Sequence, residues 1–404
     1  MISVTLISIL LFIYFSLIVI SCFKTKDILN PIVLFLAPYS TAILLHFMGF
    51  SDYYLNNSPV SVAIVYCMPM YFSLGIFIAI YSNPNKLNST SSLRRGGFDS
   101  YHINFNVVFL LFLMVFLLET AIFGVPFFSG SPTLAYMNYG LPVIHHLITV
   151  IYFVIIFMLG LKLSNRISSL KIIFVILLAL IIFVLIFARM QAMNVILTAL
   201  ITYYYFYKVS YRKVIFYGLT VLVCCGIAFS FLGNLRTGGI SDYYVALGQI
   251  NNESIYPFAQ LYIYITISIQ NFINLVSNFE SFSFGAYSLF KIIPLVDAGE
   301  TLQINLSDYM ASPGLTTFSL GSSLYVDLGV FSSIAFIFVG YLVGYFYTLF
   351  RGGNVFATLC YLGILSRLLI YGFFYDGLFV TNTIILLVLA YLFSYRLVFN
   401  KIAT

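Results

Sequence analysis

The sequence predicts an all-α protein that crosses a membrane about eleven times, and its composition, its apolar runs and the placement of its cations all support this. The 404 residues are 62% hydrophobic and only 7% charged, whereas a soluble domain carries about 25% charged residues. No loop has a basic run longer than two residues, so the net positive charge does not indicate nucleic-acid binding. The composition therefore predicts a polytopic membrane protein.

Eleven apolar runs come close to the roughly 17–25 residues that a membrane-spanning helix needs. The predicted spans are 2–22, 31–50, 60–81, 105–123, 141–161, 171–188, 190–207, 214–233, 329–350, 355–373 and 378–395. The chain starts without a basic n-region or a small-residue cleavage site, so we expect the first run to be a span and not a removed signal peptide. A twelfth span at 255–279 is the alternative count.

The positions of the Lys and Arg residues predict how the chain is oriented in the membrane. Of the eighteen Lys and Arg residues, fourteen fall in every second loop. The positive-inside rule places these loops in the cytoplasm, which predicts an outside N-terminus and a cytoplasmic C-terminus. The remaining four, Arg189, Arg236, Lys291 and Arg367, lie on the opposite face or just inside it. Cations that topology does not explain are candidates for a functional site.

Three parts are predicted along the chain. Residues 1–233 form an N-terminal transmembrane bundle of about 8 helices, 234–321 a large outer loop, and 322–404 a C-terminal bundle of about 3 helices. Within the loop, residues 255–279 place Tyr, Ile and Phe at helical spacing among Gln and Asn. This pattern predicts an amphipathic helix at the outer leaflet. A span there would put the later basic loops on the wrong side.

Two of the far-side arginines are predicted to bind an anion. Arg189 lies at the outer turn between the sixth and seventh spans, where a planar guanidinium can hold phosphate oxygens in bidentate fashion. Its alternative role is to cap the hairpin and reach the interface. Arg236 lies among glycines, and Thr237 and Gly238 follow it. Such a turn lets backbone N–H groups and a hydroxyl approach a phosphate or sugar phosphate.

The other two far-side cations lead to different expectations. Arg367 lies within the tenth span, and a charge there costs roughly 2.5–3.5 kcal/mol on insertion scales. Either an ion pair with Glu119 or Asp376 offsets that cost, or the cation faces a water-filled cavity that takes a lipid-linked anion. Lys291, in the long loop, is predicted to be plain surface charge.

Groups that could move a proton are also present on the outer side. His145, next to His146 at the outer end of the fifth span, is a candidate general base or sugar ligand, and His46 is a second choice. The carboxylates that could deprotonate a hydroxyl are Asp242, Glu253, Asp327 and Asp376, and the sequence does not rank them. The chain has no DxD or HExxH motif and no Cys pair at ligand spacing, so we expect no metal, no cofactor and no disulfide.

Three further patterns carry a resemblance. One is Gly233-Asn234-Leu235-Arg236-Thr237-Gly238, at the mouth of the outer loop. Another is Thr317-Phe318-Ser319-Leu320-Gly321 running into Tyr325-Val326-Asp327-Leu328-Gly329. The last is Tyr371-Gly372-Phe373-Phe374 after Arg367. With the arginine at the outer turn before the seventh span, these patterns make the chain resemble the Wzy-type oligosaccharide repeat-unit polymerases of bacterial O-antigen and capsule pathways.

The resemblance implies a glycosyltransferase of the bacterial inner membrane that is active on its periplasmic face in lipopolysaccharide or capsular polysaccharide biosynthesis. Such enzymes join undecaprenyl-pyrophosphate-linked repeat units: a hydroxyl of one unit attacks the anomeric carbon of the growing chain, and undecaprenyl pyrophosphate leaves. The partners implied are the lipid-linked donor and acceptor, membrane lipids and a chain-length regulator, with no nucleic acid. The residues implied are Arg189, Arg236, Thr237, Gly238 and Arg367 for the pyrophosphate, and Asp327, Asp376 and His145 with the arginines for catalysis.

Two other functions stay open. An O-antigen ligase of similar architecture would share the arginines and pass the glycan to a lipid A core. A flippase or transporter for lipid-linked glycans would need cations reachable from both sides and helices broken near the bilayer centre. The surplus cations cluster on one face, which favours chemistry on that face.

Overall fold

The computed structural model describes residues 4–54, 57–84, 105–130, 132–163, 165–207, 209–220, 243–293 and 296–402. Across these ranges the chain forms helices and turns and no strand; Ser51 and Ile250 make an isolated bridge. Five segments are long and apolar enough to cross a membrane: Val4–Thr25, Pro59–Ser82, Val108–Phe128, Ile144–Leu163 and Ser322–Arg351. The predicted all-α membrane architecture is confirmed at this level.

The helices follow the predicted spans. They are α1 (Val4–Thr25), α2 (Pro31–Phe47), α3 (Pro59–Ser82), α4 (Phe105–Phe123), α5 (Pro132–Met137), α6 (Ile151–Leu163), α7 (Ser169–Leu185), α8 (Arg189–Tyr207), α9 (211–220), α10 (Tyr243–Leu247), α11 (Ala259–Asn278), α12 (Ala286–Ile292), α13 (Ala298–Leu302), α14 (Ser322–Leu328), α15 (Ser332–Arg351), α16 (Val355–Cys360), α17 (Ser366–Ile370) and α18 (Thr381–Ile402). A 3-10 turn, Ile144–Val150, leads into α6, and a π turn, Tyr361–Leu365, joins α16 to α17. Helices overlap most of the predicted spans, but 355–373 is divided among α16, the π turn and α17, and most of 214–233 lies outside the described residues.

The chain divides into two compact units. Unit 1 comprises Met1–Pro84, Ser241–Thr348 and Leu368–Thr381, and unit 2 comprises Asn85–Ile240, Leu349–Arg367 and Asn382–Thr404. Each unit combines segments from both ends of the chain. The units therefore differ from the three predicted parts: the N-terminal bundle, the outer loop and the C-terminal bundle all contribute to unit 1.

Glycines bring α3 and α15 together inside unit 1. A Cβ atom added at Gly75 would lie 1.9 Å from the carbonyl oxygen of Ile337, and one added at Gly340 would lie 2.0 Å from that of Phe72. Gly340 and Gly344 also have the four-residue spacing of small residues at membrane helix interfaces. The two backbones touch because no side chain stands between them.

The predicted helix at 255–279 exists as α11, and two of its polar residues are buried. Gln270 is 1% exposed and Asn271 is 0% exposed. The Asn271 amide donates to the carbonyl oxygens of Leu315 (2.6 Å) and Thr317 (2.8 Å). Asn271 therefore holds the 315–317 segment against α11, a role that the amphipathic pattern alone does not indicate.

Helix α11 packs on one end of unit 1. The Tyr262 hydroxyl accepts from Phe50 N (3.1 Å), and the hydroxyls of Tyr54 and Thr266 lie 2.6 Å apart. Both bonds place α11 against the 48–58 connection between α2 and α3. The charge pattern of the sequence assigns that connection to the outer side, so α11 is expected on the same side.

Helix α6 forms the core of unit 2. Every residue from Ile151 to Leu161 is buried. The helix packs against α4, α7, α8 and the π turn, where a Cβ atom at Gly363 would lie 2.7 Å from the ring of Phe153. A glycine at this point lets the π turn approach α6 closely, which positions the residues described next.

Candidate functional site

Arg367 is the central cation of unit 2. It is only 6% exposed, and its guanidinium carbon lies 3.8 Å from the centre of the Tyr152 ring. The guanidinium also donates to the carbonyl oxygen of Gly363, in the π turn. A desolvated cation–π pair contributes about 2 kcal/mol, which is comparable with the roughly 2.5–3.5 kcal/mol insertion cost of a buried charge. The aromatic ring and the carbonyl therefore offset much of that cost.

Polar side chains connect this cation with the start of α8. The Tyr152 hydroxyl donates to Gln191 Oε1, and Asn194 Nδ2 donates to the same oxygen (3.3 Å). Gln191 lies two residues after Arg189, the half-buried first residue of α8. The structure thus connects Arg367 with the helix start that carries a second predicted arginine. A π turn beside such a group is frequent at functional sites.

A buried carboxylate orients His145 in the same unit. Glu119 is fully buried, His145 has 31% of its side chain exposed, and Nδ1 of His145 lies 2.8 Å from Oε2 of Glu119. The other carboxylate oxygen accepts from Leu141 N (3.0 Å). Because the carboxylate is an acceptor, Nδ1 carries a proton, so in the neutral imidazole the lone pair is on Nε2. Glu119 thus pairs with His145, and the ion pair of Arg367 with Glu119 or Asp376 stays a prediction.

The turn before His145 is strained. Val143 has φ 67° and ψ −51°, and Ile144 N donates to Pro142 O at 2.8 Å. This is a γ-turn of the rare, strained kind, with a β-branched residue at its centre. At Gly140, φ 111°, a Cβ atom would lie 2.8 Å from the His145 ring. Strained backbone clusters at functional sites, so this turn and its glycine mark His145 as a positioned group.

Asp327 plays a different role in unit 1. Its Oδ1 accepts from Ser283 Oγ (2.6 Å) and Tyr287 N (2.9 Å), and its Oδ2 accepts from Ser288 N (3.1 Å). Both oxygens are therefore engaged at the start of α12. This arrangement satisfies backbone N–H groups at a helix end and leaves the carboxylate little capacity to take a proton from a substrate.

Asp376, also in unit 1, uses only one oxygen in this way. Its Oδ2 accepts from Ser322 Oγ (2.9 Å) and Ser323 N (2.7 Å) at the start of α14. Its Oδ1 is buried and has no hydrogen-bond partner within the described ranges. A buried carboxylate oxygen without a partner requires an explanation, and a ligand is one.

The sequence suggested that Lys291 is plain surface charge, but its contacts in the structure show otherwise. Its ammonium group donates to Ser323 Oγ (2.8 Å), and its side chain lines a cavity of about 460 Å³ together with Tyr287 and Asp297. Burial, and then the carboxylates of Asp376, Asp297 and Asp327, raise the pKa of Tyr287 above its ordinary value. The hydroxyl of Tyr287 therefore stays protonated and neutral beside these carboxylates.

The remaining candidates contribute less. His46 uses both nitrogens inside unit 1: Nδ1 accepts from the Tyr66 hydroxyl (2.7 Å) and Nε2 donates to Gln270 Oε1 (2.9 Å). Its role is structural. Glu253 is exposed. The candidates Arg236, Thr237, Gly238 and Asp242 lie outside the described residues.

The described side chains thus form three clusters. In unit 2, Arg367, Tyr152 and the start of α8 form one, and the His145–Glu119 pair forms a second. In unit 1, Lys291, Ser323, Asp376 and Tyr287 form the third. No protein family, curated protein or solved structure matches this chain, so the chemistry of these groups carries the functional argument.

Proposed function

We propose that this protein polymerises undecaprenyl-pyrophosphate-linked oligosaccharide repeat units on the periplasmic face of the bacterial inner membrane, during O-antigen or capsule synthesis. The observation that supports this most is the partly exposed His145, whose Nδ1 lies 2.8 Å from the fully buried Glu119. A carboxylate that fixes one imidazole nitrogen leaves the other as a general base. Glycosyl transfer to a hydroxyl uses such a base.

In the proposed reaction His145 Nε2 takes the proton of an acceptor hydroxyl as its oxygen attacks the anomeric carbon of the donor. The bond from that carbon to the diphosphate oxygen breaks, and undecaprenyl pyrophosphate leaves with the electron pair. Glu119 stabilises the imidazolium that forms. Arg367 and Arg189, with the Arg236 turn, stabilise the charge that develops on the leaving diphosphate.

The buried setting of Arg367 supports its assignment to the diphosphate. In a desolvated site a fixed guanidinium interacts with an anion far more strongly than in water. Its planar fork also matches phosphate oxygens in bidentate fashion. Because the donor is already activated by its diphosphate, the proposed reaction requires no nucleotide.

Deleting the gene and separating the surface polysaccharide on a gel tests the proposed function. We expect the lipid A core to carry a single repeat unit, because one unit can be ligated but not extended. Bare core with polymer accumulated on its lipid carrier would show a ligase instead. Repeat units trapped on the cytoplasmic side would show a flippase.

A second experiment tests which side of the membrane carries the proposed active face. In a background without native cysteines, Lys291→Cys should react with a membrane-impermeant thiol reagent added from the periplasmic side. Lys86→Cys, in a loop assigned to the cytoplasm, should react only after the membrane is permeabilised. Mass tagging on a gel measures both reactions, and the reverse pattern would overturn the orientation.

A further inference from the structure

Unit 1 contains a cavity to which the proposed reaction assigns no role. It has a volume of about 460 Å³ and is lined by Tyr287, Lys291, Val296, Asp297, Ala298 and Gly299. Small-molecule sites typically enclose about 300–1,000 Å³. The cavity is therefore large enough for a sugar or a short glycan.

The cavity wall offers both donors and acceptors. An ammonium group has three N–H donors, and Lys291 uses one of them on Ser323 Oγ (2.8 Å). Asp297 Oδ1 accepts from the backbone N–H groups of Gly299 (2.8 Å) and Glu300 (3.1 Å). Both of these bonds use Oδ1, and Asp297 is an exposed residue of the cavity wall. A ligand rich in hydroxyl groups matches this wall, because each hydroxyl both donates and accepts.

The surrounding charge selects against anions. The carboxylates of Asp297, Asp327 and Asp376 all lie near enough to Tyr287 to raise its pKa, after the larger effect of burial. Among the described residues, Lys291 is the only cation that lines the cavity. Within the described part of unit 1 this surplus of negative charge disfavours a diphosphate and tolerates a neutral ligand.

Two buried polar atoms belong to residues beside this wall that do not themselves line the cavity. Oδ1 of Asp376 and Oγ of Ser288 have no hydrogen-bond partner among the described residues, and their residues are 4% and 7% exposed. Ser288 follows Tyr287 on α12, and Asp376 accepts from Ser323, the residue that Lys291 holds. Buried polar groups without partners are rare in native proteins.

We propose that this cavity binds a neutral saccharide, with its hydroxyls on Lys291 and Asp297 and its apolar C–H face toward Val296. Apolar lining gives such a ligand buried area, while a few polar groups fix its orientation. The site is separate from the transfer reaction proposed above, because it concerns binding within unit 1. It can therefore be tested without any turnover.

Saturation-transfer difference NMR on the full-length protein in detergent tests this site. The probes are free galactose, glucose and N-acetylglucosamine, with inorganic pyrophosphate as competitor. We expect saturation transfer from the protein to at least one of the sugars, and pyrophosphate should not reduce it. Lys291→Met and Asp297→Asn should each weaken its affinity by about tenfold, the effect of losing one hydrogen bond to a charged group.

The variants are chosen to preserve the fold. Met keeps the apolar stem of Lys291, and Asn can cap the turn at Gly299 as Asp297 does. Lys26→Met, at an exposed lysine of the same unit, is the matched control and should bind the sugar as the wild type does.

Absence of saturation transfer to all three sugars would overturn the proposal. Binding of pyrophosphate that depends on Lys291 would overturn it too, in favour of an anion site. Sugar binding without polymerase activity would refute only the proposed reaction.

Discussion

Units 1 and 2 each contain a buried carboxylate that contacts a turn, but the two carboxylates have different roles. In unit 2 Glu119 lies 2.8 Å from the imidazole of His145, a side chain that can carry a proton and is 31% exposed. In unit 1 Asp327 accepts from a serine hydroxyl and from the backbone N–H groups that open α12. A carboxylate bound to backbone stabilises architecture, whereas one bound to an imidazole can tune chemistry.

The backbone near the two carboxylates also differs between the units: it is strained in unit 2 and less so in unit 1. Val143, two residues before His145, is held in a γ-turn that a β-branched residue rarely adopts. Near Asp327, Phe284 also has a positive φ, 51°, but its turn is closed by an ordinary bond from Ala286 N to Ser283 O (3.0 Å), and its side chain is 86% exposed. Strain beside a group that can react is the pattern expected of a functional site. Four sets of variants test this difference between the two units.

The largest effect is expected at Arg367. Replacing it with Ala removes the cation that is proposed to stabilise the leaving diphosphate, so elongation should fall on the order of 10³-fold. Arg367→Lys should restore only part of the rate, because an ammonium lacks the planar fork. Elongation of lipid-linked repeat units by purified protein, in the presence of a chelator, measures both.

Arg351 provides the matched control for Arg367. It is equally buried, at 6% exposed, but it lies at the end of α15 that is predicted to face the cytoplasm. Arg351→Ala should leave elongation per folded molecule nearly unchanged. An equal loss in both variants would mean that removing any buried arginine damages unit 2. Strict dependence of wild-type elongation on a divalent ion would contradict a mechanism based on cationic side chains.

The next effect is expected at the His145–Glu119 pair. His145→Ala removes the proposed base, which typically contributes on the order of 10²-fold. Glu119→Gln keeps the shape of the side chain but no longer favours the imidazolium, so we expect a loss of similar size. Elongation rates of the single and double variants decide this: if the two residues act as a unit, the double variant should be no slower than the slower single variant.

The comparison with unit 1 predicts the opposite result there. Asp327→Ala leaves the Tyr287 and Ser288 N–H groups without their acceptor, at a cost of about 1–3 kcal/mol. It should lower the melting temperature in detergent and leave the rate per folded molecule nearly unchanged. Asp376→Asn retains an acceptor for Ser323 N and should also elongate. Loss of elongation in a stably folded Asp376→Asn would make Asp376 the base in place of His145.

Much of the helical framework could be predicted from the sequence, because a membrane permits few alternatives. A long apolar run in lipid must form a helix to satisfy its backbone groups, and the predicted run at 60–81 coincides with α3 (Pro59–Ser82). Arg367 was also recognisable, since a charge within an apolar run is costly. These inferences need only composition and local spacing.

The partners of these residues could not be predicted in the same way. The pairing of Glu119 with His145 depends on the strained turn at Val143, and no local pattern predicts a positive φ at a valine. Lys291 meets Ser323 only because α12 packs against α14. The polar residues of α11 resemble a solvent-facing stripe, but Asn271 binds backbone carbonyls of a loop that lies 44 residues away. Tertiary contacts of this kind leave no periodic signal in the sequence.

The smallest effect is expected from relieving the strain at Val143, which costs on the order of 1–3 kcal/mol. Val143→Gly removes the Cβ atom that makes φ 67° unfavourable, but it also adds about 0.4–1 kcal/mol of chain entropy to the unfolded state. The net result should be a small gain in thermal stability, together with slower elongation because His145 is held less firmly. Phe284→Gly, at φ 51° in unit 1, is the matched control and should alter neither elongation nor the His145 turn. If Val143→Gly gained stability and kept the full rate, the strained turn would be an incidental feature of unit 2, and the backbone would no longer distinguish the two carboxylates.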